Sequence, residues 1–184
     1  MLLIYMAQRR QSFDKRIVIS AVLVALSVII LYLGCAIEVL DLTMSAIVSL
    51  LVVVIVIELG YKYAWFAYLA TSVLSLLLLP QKTPAIFYAC FMGFYPIIKS
   101  HSERINSAIL RWTIKLVAGN VALVAMIWLI CLFTPEEFEN VFMIVSAYIL
   151  GLAAFVMYDI ALTKLITVYF AKVRDRIKIY KFLR

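Results

Sequence analysis

Four polar residues stand where an apolar chain holds them least easily. Lys115 and Asn120 fall inside one hydrophobic run, and Asp159 and Lys164 fall inside the next. A charge at membrane depth is costly, so each such residue is expected to find a partner or serve a function. On a helix, Asp159 shares a face with Tyr148, Leu152, Phe155 and Thr163. Lys164 follows five residues later, roughly 140° around the helix. That makes it a poor partner for Asp159, and it is expected to snorkel to the nearby interface. Lys115 and Asn120 come at similar depth on the preceding antiparallel run. An Asp159–Lys115 ion pair or an Asp159–Asn120 hydrogen bond would clamp the two helices. A ligand or proton-relay role for the same residues is the alternative.

A second set lies near the opposite ends of the runs. Tyr32, Glu38, Asp41, Lys82, Tyr88, Trp128 and Tyr148 all fall toward the outer face in the topology set out below. Aromatic walls with a few polar groups suit a small-molecule substrate site. The same residues are what an interfacial aromatic belt is made of. No phosphate-binding glycine loop, HExxH motif or serine nucleophile elbow is present. No catalytic residue, metal site or cofactor is therefore expected. Cys35, Cys90 and Cys131 form no CxxC pair and read as small apolar packers. His101, the single histidine, sits in a polar stretch with Glu103, Arg104 and Arg111 that reads as a solvated loop.

The elements that must position these residues follow from hydropathy. Of 184 residues, 67% are hydrophobic and only 15% charged, yet the net charge is +7. A soluble domain is typically about 45–50% apolar, so the chain reads as an integral membrane protein. With no basic domain outside the membrane, nucleic-acid binding is not expected. The run Ile17–Ile37 carries no charge and is bounded by Lys15 and Arg16 on one side and Glu38 on the other. At about 1.5 Å per residue it spans a hydrocarbon core of roughly 30 Å. Six spans are expected, over 17–37, 43–59, 62–79, 84–99, 111–133 and 141–171, giving one all-α domain. Asp41 or Thr43 is expected to cap the second helix. Gly60 is expected to turn the chain, with Tyr61, Tyr63 and Trp65 as an interfacial belt. Gly93 and Pro96 should interrupt the fourth helix, and broken membrane helices often line cavities. Thr134-Pro135-Glu136-Glu137 reads as a capping box that starts a short interfacial helix through Asn140. Residues 1–16 read as a short basic lead, uncleaved because its apolar residues precede its arginines. Residues 172–184 form a basic amphipathic tail, with Tyr180, Phe182 and Leu183. The basic segments are the two ends and the 99–111 loop, so both termini are expected in the cytoplasm of a multi-pass plasma-membrane protein.

Ala21 and Ala25 lie one turn apart on the first span, and Val28 and Tyr32 continue their stripe. Small residues let membrane helices approach closely, so the stripe reads either as a docking face for another subunit or as packing within the chain. Six helices in about 180 residues, cytoplasmic ends and this Ala-x-x-x-Ala together resemble the substrate-binding S component of energy-coupling factor transporters. The segments VLDLTMSAIVSLLVVVIVIELGYKY, LLLLPQKTPAIFYACFMGFYP and FVMYDIALTKLI are similar to S-component-like bacterial membrane proteins. The resemblance implies that Ala21 and Ala25 touch a transmembrane coupling subunit and that ATPase subunits are separate chains. It also implies that a vitamin-sized solute sits in an outward pocket made by the outer loops and helices 4 to 6. No thiamin, riboflavin, folate or biotin signature is present. A non-transport scaffold, similar to the small multispan proteins of the bacterial cell-elongation machinery, is the alternative.

Overall fold

The chain has no glycine before Gly34 and no proline before Pro80. Nothing interrupts its first helix, and α1 runs over Leu2–Ala36. The stretch expected as a basic lead is therefore helical from Leu2, because its Leu, Met, Ala, Gln and Arg are all good helix formers. The computed structural model describes residues 2–37, 40–133 and 141–173, and side chains over 14–37, 40–132 and 142–172. Glu38, the capping box at 134–137 with the interfacial helix after it, and the basic tail beyond 173 lie outside the described residues.

Helix α2 spans Asp41–Glu58. Its N-cap is Leu40 and no side chain caps it, so the expected capping by Asp41 or Thr43 does not occur. Asp41 already sits in the first turn, where a carboxylate meets the positive end of the helix dipole. Gly60 makes the expected turn. Its φ of +97° is a backbone region that side chains strain to enter. Helix α3, Tyr61–Leu78, follows at once. It stops short of Pro80, and the Lys82 ammonium donates to the Leu76 and Leu79 carbonyls at 2.8 and 2.6 Å, closing its C-terminal end.

The next stretch is broken more thoroughly than expected. It consists of α4 (Thr83–Phe87), a π-helical turn over Tyr88–Met92, and α5 (Tyr95–Ser102), with a break at Gly93 and Phe94. Pro96 opens α5 rather than ending a helix, because its missing N–H falls in the first turn, where no bond is required. As a result α5 runs past Lys99, and His101 lies in its last turn and not in a loop. Helix α6 covers Ala108–Phe133. Helix α7 covers Val141–Val168 and ends in a π-helical turn, Tyr169–Val173.

Every regular element among the described residues is helical, without strands. Four helices are long and apolar enough to cross a membrane, over Asp14–Ala36, Asp41–Glu58, Ala108–Leu132 and Phe142–Lys172. Two expected spans do not reach that standard alone. The first half of α3 is diluted by Tyr61, Lys62, Tyr63, Trp65 and Tyr68, and the 83–102 stretch is in pieces.

Packing divides the bundle in two. Helix α1 lies on α2 and α3, and a first core joins Val24 and Leu31 to Val48, Val52, Ile55, Ala64 and Ala67. The broken stretch lies on α2 and α6, and α6 lies on α7. A second core there gathers Phe91, Met92, Tyr95, Ala122, Phe155 and Leu162 with Val53 of α2. Glycines set the α6–α7 approach. A Cβ on Gly119 would stand 2.8 Å from the Phe155 ring, and one on Gly151 would stand 2.9 Å from Leu123.

Candidate functional site

Three helices of the second core place charge inside it. Helix α5 delivers Lys99, which is fully buried, α6 delivers Lys115, and α7 delivers Asp159; the last two are each 6% exposed. The Lys99 ammonium donates to Asp159 Oδ1, to the Asp159 carbonyl at 2.6 Å and to Thr163 Oγ1 at 2.6 Å. Those bonds use all three of its donors. Thr163 Oγ1 in turn donates to the Asp159 carbonyl at 2.8 Å. Asp159 Oδ1 also accepts from the Tyr95 hydroxyl at 2.7 Å and lies 3.5 Å from Lys115 Nζ. Glu103, partly exposed just past α5, reaches Lys115 at 3.5 Å and Lys99 at 3.9 Å. Two ammonium groups thus face two carboxylates, and the cluster is neutral as a whole. A buried pair held by this many hydrogen bonds fixes geometry, and removing one partner strands the rest.

The expected partnership of Asp159 with Lys115 is present, but Lys99 is the closer partner. Asn120 does not reach Asp159; its Oδ1 accepts from the Tyr148 hydroxyl, a separate link between α6 and α7, and its Nδ2 donates to the Leu116 carbonyl at 2.9 Å. Lys164 is exposed, as snorkelling requires. The sequence pattern does not mark Lys99 or Tyr95, and Glu103 reads there only as part of a solvated loop. The signal that could have found them is Asp159 itself, since a deep carboxylate needs more than one donor.

Above the charge cluster sits a floor of four rings. Phe91 stacks on Tyr95 at 5.8 Å between centroids, and Phe155 meets both edge-on. Tyr158 completes the group and donates its hydroxyl to Ser49 Oγ at 2.8 Å. On the far side of these rings a cavity of about 280 Å³ opens between α2, the π-helical turn, α6 and α7. Its walls include Thr43, Ala46, Phe87, Phe91, Leu123, Met126, Gly151 and Tyr158, with no charged residue. Neither Lys99 nor Asp159 lines it. The arrangement is a clamp below and an apolar chamber above, with the Thr43 and Tyr158 hydroxyls as its polar side-chain groups.

No protein-family model, curated protein or solved structure matches the chain. Its residues alone therefore carry the functional argument.

The outer set is scattered around this chamber, and none of its six described members lines it. Tyr32 and Trp128 are 54% and 66% exposed on α1 and α6. Lys82 is engaged at the end of α3, Tyr88 is wholly buried beside Tyr68, and Tyr148 is bonded to Asn120. Asp41 is buried at the start of α2, where its carbonyl accepts from Ser45 Oγ. The chamber's own residues escaped the sequence reading because apolar lining looks like core.

Ala21 and Ala25 both face outward. With Ser20 on α1 and Ala67, Ala70 and Phe66 on α3 they line a groove of about 640 Å³ along the side of the bundle. Small side chains on two adjacent helices leave this trough, where another helix backbone could approach closely.

Proposed function

We propose that this chain is the substrate-binding membrane subunit of an ATP-driven uptake transporter of the energy-coupling factor type. In this reading the bundle crosses the plasma membrane six times with both termini in the cytoplasm. Separate ATPase chains act through a transmembrane coupling subunit, and a vitamin-sized solute is captured from outside. The observation that carries the reading is the groove at Ala21 and Ala25. It opens on the outside of the bundle, and Ser20, Ala21, Ala25, Ala67 and Ala70 place small side chains along it from two helices. The apolar chamber between α2, the broken stretch, α6 and α7 supports the same reading. Its volume lies near the lower end of the range usual for small-molecule sites, roughly 300–1,000 Å³.

The test is Ala21→Leu/Ala25→Leu. Leucines would fill the trough and hold a docked helix away. Overpacking of that kind typically costs about 1–3 kcal/mol, so association with partner subunits should fall roughly five- to 150-fold. The melting temperature of the isolated protein should not change, because both positions are already exposed. Full retention of co-purified partners, or a lowered melting temperature, would remove the docking role.

A further inference from the structure

The ends of α3, α5 and α6 meet around another groove, of about 490 Å³. Its walls change character along the helix axes. His101 and Arg104 stand at the loop end. Trp65, Ile98 and Ile114 line it one or two turns further in. An amphiphile with a charged head and an apolar tail is complementary to such a gradient.

The sign of the head follows from the neighbouring charges. Glu103 is directed at Lys99 and Lys115, so its carboxylate is engaged with the buried cluster. Arg104, the next residue, has no carboxylate within ion-pair distance among the described residues. Its guanidinium lies over the Tyr61 ring, 4.9 Å from the centroid. His101 meets the same ring edge-on at 6.2 Å. Arg111 precedes Ile114 by three residues and so shares its face of α6. A guanidinium presents paired N–H donors that match a phosphate, and an imidazole supplies another donor. Trp65, 42% exposed, stands where tryptophan is favoured at the membrane–water boundary.

We infer that this groove binds an anionic phospholipid, with its phosphate on Arg104 and His101 and an acyl chain along Ile98 and Ile114. An acidic protein segment would match the cations but not the apolar inner wall. The site does not depend on transport, and it would hold in a scaffold protein equally well.

Delipidated protein in mild detergent is titrated with phosphatidylglycerol and with phosphatidylcholine of the same acyl chains, and bound lipid is counted by native mass spectrometry. A basic side chain near an anionic lipid contributes roughly 1 kcal/mol, so phosphatidylglycerol should bind about five-fold more tightly. Arg104→Gln should remove that preference by weakening phosphatidylglycerol more than phosphatidylcholine, whose choline offsets its phosphate charge, whereas Arg104→Lys should keep most of it. His101→Ala, at an exposed position, should reduce the preference and reads the same contact if Arg104→Gln fails to fold. Glycerol 3-phosphate, which has the head chemistry without the tails, should not displace the lipid. Equal binding of the two lipids, an unchanged preference in Arg104→Gln or His101→Ala, or displacement by glycerol 3-phosphate would each overturn the assignment.

Discussion

The two halves of the bundle bury polar atoms in opposite ways. Around α1, α2 and α3 the buried polar side chains are mostly hydroxyls that return to their own helix. Ser27 donates to the Leu23 carbonyl at 2.7 Å and Ser75 to the Ser72 carbonyl at 3.1 Å. Such serines act as small packing residues and commit their helix to no neighbour. Around α5, α6 and α7 the buried polar atoms cross between helices, as Tyr95 and Lys99 do to Asp159 and Tyr148 to Asn120. The first half is held by shape, and its register can adjust as a partner settles. The second half is pinned at named atoms.

The largest effect should come from unpinning the second half. Asp159→Leu would leave two buried lysines facing Glu103 alone, and loss of one buried partner typically costs about 3–5 kcal/mol. Thermal unfolding in detergent should show a large drop. Lys99→Met added to Asp159→Leu should recover much of it, because Lys115 and Glu103 then remain as a balanced pair. A single variant as stable as the parent would dismiss the pin.

A smaller loss is expected where the second half depends on close approach. Gly119→Ala would press a methyl against the Phe155 ring, at a cost of about 1–3 kcal/mol. Phe155→Leu in the same chain should relieve part of the strain, and a melting temperature unmoved by Gly119→Ala would mean that α6 and α7 do not approach this closely. Smaller still is the effect in the first half. Ser45 bridges the Asp41 and Pro84 carbonyls at 2.8 and 3.0 Å, so its hydroxyl reaches across to the broken stretch. Ser45→Ala should cost about 1 kcal/mol, the usual net value of one hydrogen bond. Ser27→Ala, whose hydroxyl bonds only within α1, should cost less. A larger loss for Ser27→Ala than for Ser45→Ala would erase the contrast between the halves.

Much of this division is legible in the residues, and the illegible part has a physical cause. Gly60, Pro80 and Pro84 mark their turns because backbone geometry admits few alternatives there. Asp159 declares itself by depth, and Lys115 follows as a partner at matching depth on the next helix. Lys99 does not, because Gly93 and Pro96 destroy the 3.6-residue phase that would show which way it points. Pro96 reads equally as a helix end or a helix start, and the structure uses the start. Tyr32 and Trp128 resemble pocket residues in sequence, since an aromatic at the interface and one in a binding wall have the same neighbours. The chamber is invisible for the converse reason: Phe91, Leu123 and Met126 look like any packed core.

The broken stretch also has a consequence for how the protein is made. Its helical pieces are five, five and eight residues long, too short for any of them to enter a bilayer as an independent span. Lys99 is synthesised sixty residues ahead of the carboxylate that neutralises it. Seating of residues 83–102 in the bundle is therefore expected to follow the emergence of α6 and α7. A nascent chain arrested before residue 159 should expose Lys99 to water-soluble amine reagents, and one extended past Thr163 should protect it. In this protein a carboxylate on α7 seats a lysine of the broken stretch that precedes it by two helices.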